Sequence, residues 1–315
     1  MKIENFNIIS DQDIYQNIPN KELNALVKAF ITQNSFQNFN EKITFKLKDA
    51  NIGFINSIRH ACYKTDEVYY LDADFNDIKL ITEDNIYIQK TYLLNRLKSI
   101  PIKQDPILKQ YVDTNIGKLQ FNNNRTSQYS NVTTEHLIFN IKDNIIINKF
   151  CLYQLIYSKA TLLIDNIHLK VGRNQDNCMF SSVHTFSINT PDTNESSSNI
   201  EFSEFDIMIA TNGTINFFVF INKIIDNIIT KFEKKYVALK DDNDNLLSLL
   251  YENEDYIFEN LILEYSYKNK FSPIISIKDN NLYIKNISEN NLETVFKHIL
   301  NEFNDFKTLI NTFNK

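Results

Sequence analysis

Two stretches of the sequence decide the fold: FFVFINKIIDNIITKFEK at residues 217–234 and NLETVFKHILNEFNDFKTLINTF at residues 291–313. In both, large apolar side chains recur at alternating steps of three and four residues, which aligns them along one face of an α-helix. Each apolar face needs an apolar partner to leave water, so we predict that the two helices pack against each other within one chain. The side chains predicted to form this intramolecular interface are Phe218, Ile221, Ile225, Ile228, Phe232, Phe296, Ile299, Phe303, Phe306 and Ile310.

The composition is that of an ordinary globular protein with a mildly acidic balance. Its 315 residues are 43% hydrophobic and 23% charged, with a formal charge of −6. A protein whose own task is to bind duplex DNA usually carries a basic surplus, so we expect no strong direct nucleic-acid binding. The opening MKIENFNIIS is too polar for a signal peptide, and the apolar run at residues 215–229 carries charged and amide side chains. We therefore expect a soluble, intracellular protein without membrane association.

The scarcity of some residue types is informative. Asn and Ile are abundant, whereas the chain has 4 glycines, no tryptophan and few arginines. The abundant types have AT-rich codons, so we infer an AT-rich genome, such as that of a large DNA virus or an intracellular microbe. The glycines and arginines that remain are expected at positions that require them. They are Gly53, Gly117, Gly172, Gly213, Arg59, Arg96, Arg125 and Arg173.

Upstream of the two decisive helices, a shorter helix is predicted over residues 52–64. Its apolar side chains fall at helical spacing, and Asp49 or Asn51 caps its N-terminus. Polar composition predicts loops at residues 112–135 and 189–203. The other predicted elements here are an amphipathic stretch at 22–30, strands at 43–47, 67–73, 78–81, 85–89, 137–141, 145–147 and 205–209, and a helix at 91–99.

A longer strand is predicted to lead up to Gly172, with one face formed by Leu163, Asp165, Ile167, Leu169 and Val171. Between the two decisive helices, the pattern predicts a strand at 236–240, a short helix at about 245–251, and strands within 256–267, 273–277 and 282–287. A second unit of order β-α-β-β-β-α thus follows a larger strand-rich unit.

Motifs for catalysis or metal binding are weak. The five histidines stand apart, and Cys62, Cys151 and Cys178 are too dispersed for a zinc site or a disulfide framework. The triplet Asp72, Asp74, Asp77 resembles a metal-binding cluster, but it lies at a strand end and we interpret it as solvated carboxylates. A hydrolase that uses His168 or His184 with Asp165 is a minor hypothesis. The residues by themselves favour a non-catalytic assembly module that has no cofactor and no metal.

Four blocks of the sequence, in order, resemble a known family. The first two are Gly53-Phe-Ile-Asn-Ser-Ile-Arg59-His60 after the strand at 43–47, and Leu94-Asn-Arg96-Leu-Lys-Ser-Ile-Pro101. The other two are residues 163–172 with Phe180-Ser-Ser-Val183, and residues 205–213 before an apolar helix. The set is similar to the alpha-like subunits of DNA-dependent RNA polymerases, which include bacterial alpha, the archaeal D subunit and the eukaryotic third-largest subunit.

Residues 236–315 begin with Tyr236-Val-Ala-Leu-Lys240-Asp-Asp-Asn-Asp-Asn245-Leu246-Leu247. This stretch is similar to the first strand and helix start of the small dimerisation partner of that family, the archaeal L type, and the whole segment resembles that partner. A fused pair of this kind is similar to the arrangement in some large cytoplasmic DNA viruses. The resemblance implies an α+β fold: an alpha-like dimerisation fold with an inserted β-rich domain, fused to the smaller β-α-β-β-β-α module. The implied domains are residues 1–102 with 200–235 for dimerisation, residues 103–199 for the insert, and residues 236–315 for the L-like module.

The function that the resemblance implies is that of a non-catalytic scaffold subunit, which nucleates assembly of the two large catalytic subunits for transcription. Its implied partners are the second-largest, the largest and other small polymerase subunits, and a viral protein would occupy the host cytoplasm and the virion. The implied large-subunit contacts are Asn56, Arg59, Arg96 and Pro101. The alternative for both arginines is that they only tie neighbouring elements inside the chain. The alternative for the whole protein is a viral or host protein-binding module with no polymerase role.

Overall fold

The structure, a computed structural model, is a mixed α+β fold with several small sheets. It describes residues 1–10, 41–64, 67–82, 88–123, 130–141, 145–146, 151–155, 160–173, 180–189, 204–238, 240–241, 247–250, 256–278 and 281–314. The α-helices within these ranges are α1 (Ile52–Lys64), α2 (Lys90–Lys98), α3 (Phe217–Ala238), α4 (Tyr256–Lys268) and α5 (Glu289–Asn311).

The strands of these ranges fall into four sheets. They are β1 (Lys2–Ser10), β2 (Glu41–Lys48), β3 (Glu67–Asp72), β4 (Ile78–Ile81), β5 (Asn115–Asn123), β6 (Ser130–Thr133), β7 (Leu137–Phe139), β8 (Cys151–Leu155), β9 (Ala160–Arg173), β10 (Val183–Asn189), β11 (Glu204–Thr211), β12 (Lys240–Asp241), β13 (Leu247–Leu250), β14 (Ile274–Lys278) and β15 (Asn281–Lys285).

The first sheet has the order β1-β2-β11-β10 and is antiparallel throughout. Its inner face is apolar because the predicted alternation in β2 holds: Ile43, Phe45 and Leu47 are buried opposite Ile209, Ile207 and Phe205 of β11. On the outer face Lys46 and Lys48 pair with the acids of neighbouring strands, among them Glu204. Such exposed ion pairs contribute little stability, so the apolar face holds this sheet in place.

A second antiparallel sheet, in the C-terminal part of the chain, has the order β12-β13-β15-β14. Three sequence predictions here are wrong. The segment predicted as a strand at 236–240 continues α3 to Ala238, the predicted helix at 245–251 contains strand β13, and the predicted strand within 256–267 is helix α4. The order is therefore β-β-α-β-β-α. Four side chains of α4 are buried at helical spacing: Phe258, Leu261, Ile262 and Tyr265. The aromatic residues of this segment favour a strand prediction despite that spacing.

A third sheet lies in the middle of the chain and has the order β3-β9-β5-β7, with β4 also paired to β9. The predicted loop at 112–135 is wrong, because it contains β5, which pairs with both β9 and β7. Ile116 and Leu119 are buried in that strand while its Asn residues occupy mainly the exposed positions and the strand ends. An Asn-rich strand therefore looked like a polar loop in the sequence.

The face predicted for β9 is also wrong. Leu162, Ile164, Ile167 and Leu169 are buried, so the buried positions change phase between Ile164 and Ile167. The pairing shows why: Leu119 of β5 lies opposite Ile164 and Gly117 lies opposite Ile167, so β9 carries one extra residue there. A β-bulge of this kind moves the following side chains to the other face.

Two apolar cores result. One joins the first sheet, α1, α3, α4, α5 and the second sheet, and the other, formed by residues between 71 and 169, joins the middle sheet to α2. The boundary drawn from the sequence at residue 103 crosses the middle core, because Leu71, Leu93 and Leu97 pack there. Likewise β10 pairs with β11 of the first sheet, although the sequence placed it in the insert.

Most of the remaining predictions are confirmed or fall on undescribed residues, but the strand predicted at 145–147 is reduced to one isolated bridge between Ile146 and Ile102. The helices at 52–64 and 91–99 and both decisive helices are confirmed within a few residues, and the Ser288 side chain caps α5 by accepting from the N–H of Asn291. Asn51 accepts a hydrogen bond from the backbone N–H of Gly53 at 2.9 Å and caps α1. The stretch at 22–30 and nearly all of the loop at 189–203 lie outside the described residues, as do three residues of the strand at 85–89.

Candidate partner-binding site

The two helices that decide the fold, α3 and α5, lie side by side in antiparallel directions. Asn222 near the start of α3 and Asn311 at the end of α5 exchange two side-chain hydrogen bonds of 2.9 and 3.1 Å. Further along, the ring of Phe232 lies 5.8 Å from that of Phe296. All ten side chains proposed from the sequence for this contact are buried in the same apolar core.

A second helix pair, α1 and α4, lies beside the first, and each helix of one pair contacts a helix of the other. The start of α1 meets the end of α4, since the backbone N–H of Gly53 donates to Oε2 of Glu264 at 3.0 Å. This pair is therefore antiparallel as well. The sequence pattern does not predict this pair, because the pattern of residues 256–267 predicts a strand where the structure has α4.

The two helix pairs join two modules of the same plan. The first module consists of β1, β2, α1, β10, β11 and α3, and the second of β12, β13, α4, β14, β15 and α5. In both, the sheet places the first, second, fourth and third strands of the module side by side. Each helix meets its counterpart, α1 with α4 and α3 with α5. Two modules with the same strand order therefore pack through counterpart helices within one chain.

The sequences of α1 and α4 carry a trace of the same correspondence. Residues 54–64, FINSIRHACYK, and residues 258–268, FENLILEYSYK, align without a gap. In this alignment the buried positions of α1 coincide with those of α4 at all but one place. The exception is buried Ile55, which is aligned with the partly exposed Glu259. The identical pairs are Phe54 and Phe258, Asn56 and Asn260, Ile58 and Ile262, Tyr63 and Tyr267, and Lys64 and Lys268.

A cleft of about 250 Å³ opens where α1 and α4 cross, and we call it the inter-module cleft. Its lining is polar, and one wall comes from each module. The first module contributes Gly53, Asn56, Ser57, Arg59 and His60, and the second contributes Asn260 and Glu264.

Three polar side chains of the inter-module cleft make no hydrogen bond or ion pair with any described residue: Asn56, Arg59 and Asn260. The other described arginines differ. Arg96 donates to the backbone oxygen of Cys151 at 2.7 Å, and Arg173 pairs with Glu67. The guanidinium of Arg59 is thus a donor group that the described part of the chain leaves unused.

The charges of the inter-module cleft are unevenly placed. The Glu264 carboxylate binds the N-terminus of α1, where it accepts from Gly53, and burial still raises its pKa above the ordinary value. Burial lowers the pKa of His60, and the neighbouring positive charges of Arg59 and Lys64 lower it further. His60 is therefore neutral near pH 7, and Arg59 supplies the cationic charge of the cleft.

The raised pKa of Glu264 predicts a pH effect that the substitution Glu264→Gln removes. The folded chain holds this proton more tightly than the unfolded chain, so the carboxyl stabilises the fold fully below the unfolded value of about 4.5. That contribution is lost as the pH rises through the raised pKa. Gln keeps an acceptor for the Gly53 N–H. We expect the free energy of unfolding of the variant, relative to wild type, to increase as the pH rises from about 4.5 through the raised pKa of Glu264. Denaturant titrations at several pH values measure this difference, and a difference independent of pH would contradict it.

Arg96 and Pro101, the other proposed contact residues, lie apart from Asn56 and Arg59 in the fold. Arg96 is on α2 and ties that helix to β8 through its hydrogen bond to Cys151. Pro101 follows α2 and is partly exposed. Neither lines the inter-module cleft. The contact observed for Arg96 is therefore a tie between neighbouring elements inside the chain, as in the alternative interpretation.

Two of the sequence blocks meet at a joint between the first module and the middle unit. The side chain of Asn212 donates to the backbone oxygen of Ser181 at 2.8 Å, and the Asn212 N–H donates to that of Ser182 at 3.0 Å. The N–H of Gln104 donates to the oxygen of Thr214 at 2.9 Å. Gly213 has a φ of 73°, a left-handed conformation that favours glycine at this turn.

Two of the acidic candidates, Asp72 and Asp165, are held in ordinary ion pairs. Asp72 lies within ion-pair distance of Lys98 and Lys170, and Asp165 pairs with Lys79. Among the described residues, no group of three His, Cys, Asp or Glu side chains is placed to hold a metal ion. None of the described helices is long and apolar enough to cross a bilayer.

Comparison with protein-family models and with curated proteins found no match to this chain.

Proposed function

We propose that this chain is a non-catalytic assembly subunit of a multisubunit DNA-directed RNA polymerase, built from an alpha-like, D-type half fused to an L-type small partner. The observation that carries the proposal is the pairing of two ββαββα modules through counterpart helices. A dimer of separate subunits presents two copies of one plan about a two-fold axis. A single chain with this internal pairing offers the same platform without an association step.

The sequence blocks that resemble the family support the proposal by their location. The block from Gly53 to His60 lines the inter-module cleft. The blocks that contain Ser181 and Asn212 are hydrogen-bonded to each other at the joint with the middle unit. Three of the four blocks thus have residues at the inter-module cleft or at the joint with the middle unit, whereas the block from Leu94 to Pro101 lies on and after α2.

In this proposal the chain contributes contacts and shape, and RNA synthesis belongs to the magnesium site of the large subunits. Asn56 and Arg59 are the residues proposed to contact the second-largest subunit, because their polar groups are partly exposed and unused within the described chain. A guanidinium makes paired hydrogen bonds to a carboxylate and also bonds to carbonyl groups, which suits such a contact.

Co-expression tests the proposal. The full chain, carrying an affinity tag, is produced together with the second-largest polymerase subunit of the same genome, with and without the largest subunit. We expect a stoichiometric complex that survives size-exclusion chromatography and then takes up the largest subunit. A chain that is folded by circular dichroism, yet retains neither large subunit, would contradict the proposal and favour a protein-binding module with no polymerase role.

A further inference from the structure

The inter-module cleft has the features of a recognition site that requires both modules. Asn56 and Arg59 come from α1, whereas Asn260 comes from α4, more than 200 positions later in the chain. Their polar groups have no partner among the described residues. Asn56 and Asn260 occupy corresponding positions in the alignment of the two helices, so the same amide group is offered from each wall.

The charge distribution defines what fits. Glu264 lies beside Gly53 at the start of α1, and Arg59 follows six residues later, roughly 9 Å along the helix at ~1.5 Å per residue. A carboxylate is therefore favoured at the Arg59 end and disfavoured at the Glu264 end. Between the two ends, the amides of Asn56 and Asn260 each carry a donor and an acceptor, which match the N–H and C=O of a peptide group.

The volume excludes larger occupants. Pockets for cofactors and drug-sized ligands usually measure ~300–1,000 Å³. The inter-module cleft, at about 250 Å³, is below that range. Its size is that of one side chain with the adjoining peptide groups, and its lining is too polar for an apolar anchor.

We propose that the inter-module cleft receives one loop of the partner protein, with an Asp or Glu side chain on Arg59 and the neighbouring peptide groups on Asn56 and Asn260. The inference rests on the proposed function and adds the chemistry of the contact. It also assigns a dependence: the loop binds only to paired modules, because α1 and α4 each supply one wall.

Site-specific cross-linking tests the shared wall. A genetically encoded diazirine amino acid replaces Asn56 in one full-length variant and Asn260 in another, and exposed Thr308 in a control. Each variant is co-expressed with the second-largest subunit, irradiated and mapped by mass spectrometry. We expect positions 56 and 260 to label the same partner peptide, one that contains Asp or Glu, and position 308 to label none of it. Labelling of different peptides, or none from position 260, would overturn the inference.

Charge exchange tests the acidic group. We expect Arg59→Glu to reduce co-purification of the partner at least tenfold, with Arg59→Lys intermediate. Reversal of the mapped partner acid to Arg should restore binding to Arg59→Glu. The control Lys234→Glu makes the same change of charge at an exposed residue without a described partner and should bind normally. Thermal unfolding of each variant checks that it folds.

The outcomes separate the two proposals. If the wild-type chain forms no complex, the proposed function fails and the cleft inference fails with it. If the wild-type complex forms but Arg59→Glu, folded as wild type, binds as well as Lys234→Glu does, only the cleft inference is overturned.

Discussion

Replacement of Phe303 by alanine is expected to lower the free energy of unfolding by about 3–5 kcal/mol. Phe303 of α5 is fully buried, and its ring lies 4.7 Å from that of Phe54 in α1, so the contact joins the two modules. The loss combines the transfer energy of the ring with the cavity that it leaves. Since domains are stable by only about 5–15 kcal/mol, the variant would lose a large part of its total stability.

Urea unfolding followed by circular dichroism measures this loss. The control is Val219→Ala on α3, where the valine is 58% exposed and the expected change is within about 0.5 kcal/mol. In a double-mutant cycle with Phe54→Ala, the two losses should not add, because the rings contact each other. Additive losses, or a Phe303→Ala effect as small as that of Val219→Ala, would contradict the packing of the modules.

The second large effect is expected at Gly117, where the substitution Gly117→Ala should cost about 1–3 kcal/mol or more. A Cβ built on Gly117 would lie 2.4 Å from the backbone oxygen of Ile138 in the neighbouring strand β7. Backbone in a paired strand cannot move aside as a flexible side chain can. We therefore expect β5 and β7 to separate, which exposes the middle core.

The matched control for Gly117→Ala is Gln120→Ala on the same strand, where the side chain is exposed. Thermal unfolding and protection of backbone amides against hydrogen exchange distinguish the two variants. Gly117→Ala should lower the melting temperature and reduce protection in β5 and β7, whereas Gln120→Ala should do neither. Equal behaviour of the two variants would show that the strands are not paired as described.

Elements with long, strictly periodic apolar patterns could be predicted from the sequence. Both decisive helices, α1 and strand β2 follow patterns whose buried positions are the ones that the structure buries. Their period is set by helix or strand geometry alone, and apolar burial then selects the face. The glycine at Gly213 was also readable, since Asn-Gly favours a turn with positive φ.

Elements whose position depends on partners far away in the sequence could not be predicted from it. Strand β5 is rich in Asn and gains its place only by pairing with β9 and β7, so nothing local distinguishes it from a loop. The β-bulge opposite Gly117 changes which face of β9 is buried, and no local sequence pattern predicts the extra residue that causes it. In α4 the strand-favouring aromatic residues outweighed a helical spacing that, counted position by position, would have identified the helix.

Only one wall of the inter-module cleft could be predicted from the sequence. Asn56 and Arg59 belong to one local block on α1 and could be proposed from the sequence. Asn260 and Glu264 lie far away along the chain on α4, where the sequence pattern predicts a strand instead of a helix. Only the folded arrangement brings them together. The partner of Arg96 could not be predicted either, because Cys151 is 55 residues away in the sequence. The accepting group is a backbone oxygen, which every residue type has, so the identity of residue 151 gives no indication of the contact.

The most direct test of the central claim is a distance between α3 and α5 in one molecule. Cysteines replace Asn222 and Asn311, which exchange hydrogen bonds across the helix pair, in a background with Cys151→Ser and Cys178→Ser. A short bismaleimide is then added at high dilution, and products are resolved by electrophoresis and peptide mapping. The account predicts an efficient cross-link within single chains. Cross-linked dimers, or a pair of cysteines that never react together, would contradict it.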